Sequence, residues 1–218
     1  MQHTKYNQEE ELLRLKNLNR YFSILTTTII VTFMLGILTF GDSFSLIDDP
    51  YSDLGRFWTY EGELNILSGI IFAGGLIFSA ITCFRIEKKL RGRYNSRIFK
   101  VCGLGFLLMI APADLFNIIH VLGVIIVFGS LWIFSISRLR ELRPVIGIQR
   151  FFSYQLLLNG TVLPYAFLYF TGNSARHLFQ KLAMAGIIAT IIIVGIELRK
   201  AIEREHNKAK QLNYPLNP

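Results

Sequence analysis

The residues of this chain best suited to chemistry stand in three short segments that are far apart in sequence. Ser52-Asp53-Leu54-Gly55-Arg56 carries a hydroxyl, a carboxylate and a guanidinium in one stretch, and Asn65 follows. Ala111-Pro112-Ala113-Asp114 closes an apolar run, and Asn117 and His120 then follow Asp114 at three-residue intervals. On a helix that spacing places them near one face. Arg176, His177 and Gln180 stand at the start of the last apolar run. Brought together, these groups would make a polar pocket for an anionic ligand. Arg56 or Arg176 would hold the anion, Asn65 and Asn117 would supply neutral hydrogen bonds, and Ser52, Asp53 and His177 would be further binding residues. In an enzymatic version His120 acts as acid or base and Asp114 orients it.

Each of these residues also has a structural reading. Asp53 suits a turn cap, and Asp114 is placed to N-cap the helix after it. Asn117 suits an interhelical hydrogen bond, and His177 suits a solvated loop. His120 is different, because it is an ionisable residue just inside an otherwise apolar helix. Asp114, His120 and His177 have the side-chain types of metal ligands, but their spacing matches no established zinc pattern. No metal and no cofactor are expected. There is no phosphate-binding glycine loop, Cys-x-x-Cys, His-Glu-x-x-His or Gly-x-Ser-x-Gly, and no internal repeat.

The elements that must position these groups are long and apolar. The chain has 218 residues, 52% of them hydrophobic and 17% charged, and a mean hydropathy of +0.41. Soluble domains carry about 25% charged residues. Here the apolar stretches concentrate at 21–40, 64–84, 98–111, 118–137, 151–170 and 178–198. About twenty residues at 1.5 Å each cover the roughly 30 Å hydrocarbon layer. The expected fold is therefore all-α, a polytopic bundle of six transmembrane helices. Residues 1–20 form a leader, 21–198 the membrane domain and 199–218 a basic tail. The third run is short and stops at Pro112, which cannot continue a helix without losing a backbone bond. Leucines at 12, 13, 15 and 18 predict a short amphipathic helix on the membrane surface before the first span.

Charge gives the bundle a direction. Twenty of the 23 Lys and Arg residues lie before the first run, between the second and third, between the fourth and fifth, or after the sixth. Only Arg56, Arg176 and Lys181 lie on the other side. The positive-inside rule puts the basic side, with both termini, in the cytoplasm of a cell-membrane protein. The net charge of +8 is accounted for by this flanking pattern and by anionic lipid, so no nucleic-acid partner is expected. The basic loops offer a site for a protein partner. The outward loop 41–63 is acidic, with Asp42, Asp48, Asp49, Asp53, Glu61 and Glu63. Cys83 and Cys102 fall near cytoplasmic helix ends, which disfavours a structural disulfide. They read as buried small side chains, with palmitoylation the alternative.

The central thirds of the six runs hold no Asp, Glu, Lys or Arg. Ion-coupled transporters keep such residues at mid-membrane. The deepest polar pair, Gln155 and Asn159, lies on one helical face with Pro164 beyond it, which suits an interhelical hydrogen bond and a kink. Gly69, Ala73 and Gly74 are small enough to let helices approach closely.

The order Ser52-Asp53-Leu54-Gly55, Asn65, Pro112-Ala113-Asp114 and His120 resembles a prokaryotic family of six-span proteins of unknown function. That family is distantly similar to the DRAM and Sfk-type membrane proteins and to the factors that remodel GPI lipid anchors. The likeness in span layout covers nearly the whole chain. It implies work on lipids or their head groups at the non-cytoplasmic leaflet, with membrane lipids as partners. The acidic loop departs from that pattern and would repel an anionic head group unless Arg56 and Arg176 dominate the pocket. Two other classes compete. A small-solute transporter or channel needs a polar path past Gln155 and Asn159 to both surfaces. A non-catalytic assembly or regulatory subunit would work through the basic loops.

Overall fold

In a computed structural model of the chain, the described residues are 2–40, 44–90 and 96–212, with side chains described for 18–40, 44–90, 96–201, 203 and 204. They form six α-helices: α1 (Gln2–Thr39), α2 (Ile66–Leu90), α3 (Arg97–Leu108), α4 (Asn117–Ile146), α5 (Ile148–Phe170) and α6 (Arg176–Leu212). Among the described residues no strand occurs, and the one extended pairing is an isolated bridge between Trp58 and Leu64. The expected all-α class is what the chain adopts. Four helices contain segments long and apolar enough to cross a membrane: Leu18–Thr39, Ile66–Leu90, Asn117–Ile146 and Arg176–Ala201. The bundle exterior is apolar too, with Leu38, Ile70, Leu156 and Phe167 exposed. A soluble monomer rarely shows such a surface.

The helices pack as a closed ring of neighbours. Each of α1 to α6 contacts the next, and α6 returns against both α1 and α4. The last turns of α2 and α4 carry Lys and Arg, at Lys88 and Lys89 and at Arg143. The turn after α3 and the start of α6 are both back beside the α1–α2 loop, where Asp114 and Gln180 bond to it. At 12 residues, α3 extends only about 18 Å, and the turns through Met109–Ala111 carry the chain the rest of the way.

Close approach depends on specific glycines. A Cβ on Gly123 of α4 would sit 2.7 Å from the Met109 nitrogen and 2.8 Å from the Gly105 carbonyl oxygen. Gly75 of α2 similarly lies against Thr32 of α1, and Gly186 of α6 against Thr161 of α5. These replace the expected packing positions: Gly74 has no heavy atom within 4 Å of a built Cβ and Gly69 has only a backbone oxygen at 3.8 Å. The pattern of small residues located the neighbourhood, and the helical phase selected Gly75 instead.

One other expectation changes, and one is met. The leader is not separate, because helical backbone runs unbroken from Gln2 into the first apolar run. No Gly or Pro interrupts residues 2–35, and Gln, Glu, Leu and Lys are good helix formers. The side chains of Leu12, Leu13 and Leu15 lie outside the described residues. Cys83 and Cys102 are free and both fully buried, and their side chains meet between α2 and α3. That burial removes palmitoylation at the native bundle and leaves them as core residues.

Gln155 and Asn159 form the expected interhelical link. Trp132 Nε1 on α4 donates to Asn159 Oδ1 at 2.9 Å, and Asn159 Nδ2 donates to Gln155 Oε1 at 2.9 Å. At the basic end Asn19 Nδ2 donates to the Gly195 carbonyl at 3.0 Å, and Lys200 pairs with the buried Glu197 at 3.1 Å.

Candidate functional site

The α1–α2 loop closes one end of the bundle. Tyr51–Gly55 forms one 3-10 turn, whose Leu54 is wholly buried against Gly36 of α1. A Cβ on Gly55 would reach within 2.5 Å of the Phe72 ring, so glycine is what lets the turn sink between α1 and α2. Asn65 Nδ2 holds the carbonyls of Leu54 and Arg56 at 3.2 and 3.1 Å, and Ser68 Oγ lies 2.9 Å from the Leu54 carbonyl. Asn65 is therefore a loop anchor instead of a ligand group. Its burial under the loop keeps it off the cavity wall.

Residues 57–65 fold back as a small hairpin, with Thr59 N donating to the Glu63 carbonyl at 2.8 Å and Gly62 at φ 84°. Asp114 clasps this hairpin to the α3–α4 turn. Its carboxylate accepts from Phe57 N at 3.0 Å and Trp58 N at 3.0 Å. Asp114 is thus not the N-cap of α4, whose capping position is Phe116 with no side-chain cap. Nor does it orient His120, because both bonds go to the hairpin backbone. Burial alone would raise its pKa, but the Phe57 and Trp58 N–H groups outweigh that and hold the carboxyl below the usual range.

His120 is oriented by backbone instead. Its ring is 1% exposed, stacks on Phe72 with centroids 6.4 Å apart, and faces the carbonyls of Ala111 and Met109. Nδ1 lies 2.9 Å from the Ala111 oxygen. A carbonyl only accepts, so Nδ1 carries the proton in that bond. Nε2 is buried without a hydrogen-bond partner. Buried polar atoms left unmatched are uncommon in folded proteins, and each needs a reason.

A cavity of about 500 Å³ opens beside this ring. Its wall includes Ser52, Asp53, Arg56, Asp114, Asn117, His120, Arg176 and His177; with Gln180, nine of the ten polar side chains singled out in the three sequence segments converge, and Asn65 alone does not. Gln180, Tyr165 and Tyr169 complete the polar lining. Gln180 Oε1 accepts from Tyr51 N at 3.1 Å, which ties α6 to the 3-10 turn. The two tyrosines were not foreseen. Their four-residue spacing on α5, in phase with the buried Leu158 and Val162, was the available signal. Inward, the cavity meets an apolar recess of about 10 Å³ among Phe33, Phe72, Met109, Phe128 and Met184. That is no more than one water molecule occupies.

The charges around the cavity are unequally matched. Asp53 accepts from the Tyr60 hydroxyl and lies 3.9 Å from Arg56. Burial pushes its carboxyl above the ordinary range, against the lowering effects of Tyr60 and Arg56. Burial and the neighbouring Asp53 likewise raise the Tyr60 phenol. Arg56 stacks over the Tyr60 ring at 5.1 Å, and its Nε is buried without a partner. Arg176 lies 6.0 Å above the Tyr169 ring and has no ion-pair partner among the described residues. Asp48 and Asp49 turn toward Ser45, at 2.9 and 2.7 Å, and neither these nor Glu61 and Glu63 line the cavity. Among the described residues no three His, Cys, Asp or Glu are grouped as metal ligands. No family model, curated protein or solved structure matches the chain.

Proposed function

We propose that this chain is an integral membrane protein of six spans, with both termini in the cytoplasm, that binds or remodels a lipid head group at the outer leaflet. α3 and α5 complete the six, because each returns the chain from the basic end to the end that bears the cavity. The charge asymmetry supports the orientation. A charged thiol reagent applied to intact cells is expected to label Glu61→Cys at once and Arg140→Cys only after permeabilisation. The reverse order would overturn the topology.

One observation carries the functional reading. His120 presents a buried, unpartnered Nε2 on the wall of a polar cavity that also holds an unpartnered Nε on Arg56 and Arg176, which has no ion-pair partner among the described residues. Its volume lies within the usual range for small-molecule sites, roughly 300–1,000 Å³. Of the described acidic loop residues only Asp53 lines the cavity, where it is engaged by Tyr60 and Arg56, and Asp114 is engaged by backbone amides, so Arg176 is the cavity charge left for an anion; Asp42 lies outside the described residues. Exposed Phe57, Trp58, Phe116 and Ile118 around the Asp114 clasp suit a membrane interface, where aromatic rings accumulate. Asn159 is engaged by Trp132 and Gln155, which suits the helix–helix link of these side chains better than a solute path.

The test is native mass spectrometry of protein released from mixed-lipid nanodiscs. Wild type should retain anionic phospholipid above its bulk fraction, and Arg176→Gln should lose that enrichment while keeping its melting temperature. Equal enrichment in wild type and variant would overturn the reading.

A further inference from the structure

The unpartnered groups on the cavity wall ask for different chemistry, and together they narrow the ligand. At Arg176 and Arg56 the unmatched groups are guanidinium donors, which favour phosphate oxygens through paired N–H bonds. At His120 the demand is opposite. With Nδ1 committed as donor to the Ala111 carbonyl, the neutral ring leaves Nε2 as an acceptor. A phosphate oxygen placed there would meet a lone pair. What satisfies Nε2 is an O–H or N–H donor.

The surroundings of Nε2 choose between these. The ring lies against Phe72, and the recess behind it is lined by Phe33, Met109, Phe128 and Met184. Asp114 is taken by the Phe57 and Trp58 amides, and Asp53 by Tyr60 and Arg56. An ammonium group would lose its hydration there with no free carboxylate to replace it. A neutral hydroxyl incurs no such penalty. We infer that the cavity takes an anionic phosphodiester that also carries a free hydroxyl, with the phosphate at Arg176 and Arg56 and the hydroxyl donating to His120 Nε2. The glycerol-phosphate head group of an anionic phospholipid has this chemistry. The inference rests on the head-group reading above and specifies its ligand class.

Three short-chain lipids of matched tail separate the elements: phosphatidylglycerol, phosphatidylmethanol, which has the same charged phosphodiester without a hydroxyl, and phosphatidylethanolamine. Titrations of the full-length protein in detergent should give phosphatidylglycerol about tenfold tighter than phosphatidylmethanol, the value of one hydrogen bond to a buried acceptor. Phosphatidylethanolamine should bind most weakly. In His120→Phe the first two should bind alike, and a melting curve checks that this variant folds. Equal binding of phosphatidylglycerol and phosphatidylmethanol by wild type overturns the hydroxyl assignment, even if both exceed phosphatidylethanolamine and the anion reading stands. No preference for either anionic lipid overturns both readings. Displacement by soluble glycerol 3-phosphate at comparable concentration supports the hydroxyl-phosphate chemistry and identifies a soluble source for it.

Discussion

Replacing Gly123 by alanine tests how the cavity is held, because Gly123 lies one helical turn below His120 on α4. The new Cβ would stand 2.7 Å from the Met109 nitrogen, whereas ordinary contact begins at 3.4 Å, so α3 must retreat by about 0.7 Å. Two of the three facing atoms are backbone, so turning the Met109 side chain, which supplies the third, does not relieve them. Ala111 follows α3, so a retreat along the His120 bond stretches its 2.9 Å contact to about 3.6 Å, beyond hydrogen-bonding range. Overpacking costs about 1–3 kcal/mol, and the lost bond to a buried carbonyl adds about 1 kcal/mol. The sum corresponds to a fall in melting temperature of roughly 5–15 °C. The assay is thermal denaturation in detergent, with Gly74→Ala as the control. Gly74 has open space around a built Cβ, so its variant should equal wild type or gain up to about 1 kcal/mol from reduced chain entropy. The reasoning fails if Gly123→Ala melts within 2 °C of wild type, or if Gly74→Ala falls as far.

Three further outcomes follow from the same contacts. Asp114 has its pKa held down by the Phe57 and Trp58 amides, so its contribution is present above the ordinary value of 3.8 and is lost as pH falls through its lower folded value. Asp114→Asn should therefore destabilise at pH 7, with the gap to wild type closing in acid; a pH-independent gap would refute the charge-based clasp. Asp53 is shifted the opposite way, so its penalty to the fold grows as pH rises from 3.8 through its higher folded value, and Asp53→Asn should flatten that part of the stability profile. Trp132→Phe strands Asn159 Oδ1 and should cost about 0.5–1.5 kcal/mol, with the coupling recovered in a double-mutant cycle with Asn159→Leu.

Much of the candidate site was legible because polar residues beside long apolar runs are expensive and therefore conspicuous. His120 drew attention as an ionisable group inside an apolar helix, and it is the most buried polar atom-bearing residue of the cavity wall at 1% exposure. Asp114, Asn117, Arg176 and His177 could be grouped because alternate runs must end on the same side. Their partners were not legible. Asp114 looked equally suited to capping α4 or orienting His120, yet it binds two amides some sixty positions earlier. Asn65 looked like a ligand residue and instead anchors the 3-10 turn. Nothing in local spacing records which distant backbone groups lack partners.

The sequence by itself determined the helical class, the apolar segments and the separation of basic from acidic ends, since these follow from periodicity, length and charge counted along one dimension. Tertiary packing decided the rest. The approach of α3 to α4 at Gly105 and Gly123 set the Ala111 carbonyl opposite His120, and that contact selected which ring nitrogen is free. The descent of Gly55 onto Phe72 set Arg56 and Asp53 on the cavity wall. Both depend on distances of a few tenths of an ångström between residues remote in the chain. Hydrogen bonding and close packing are that short in range, so only the assembled bundle could assign the cavity its unmatched acceptor at His120 and the unmatched Nε donor of Arg56.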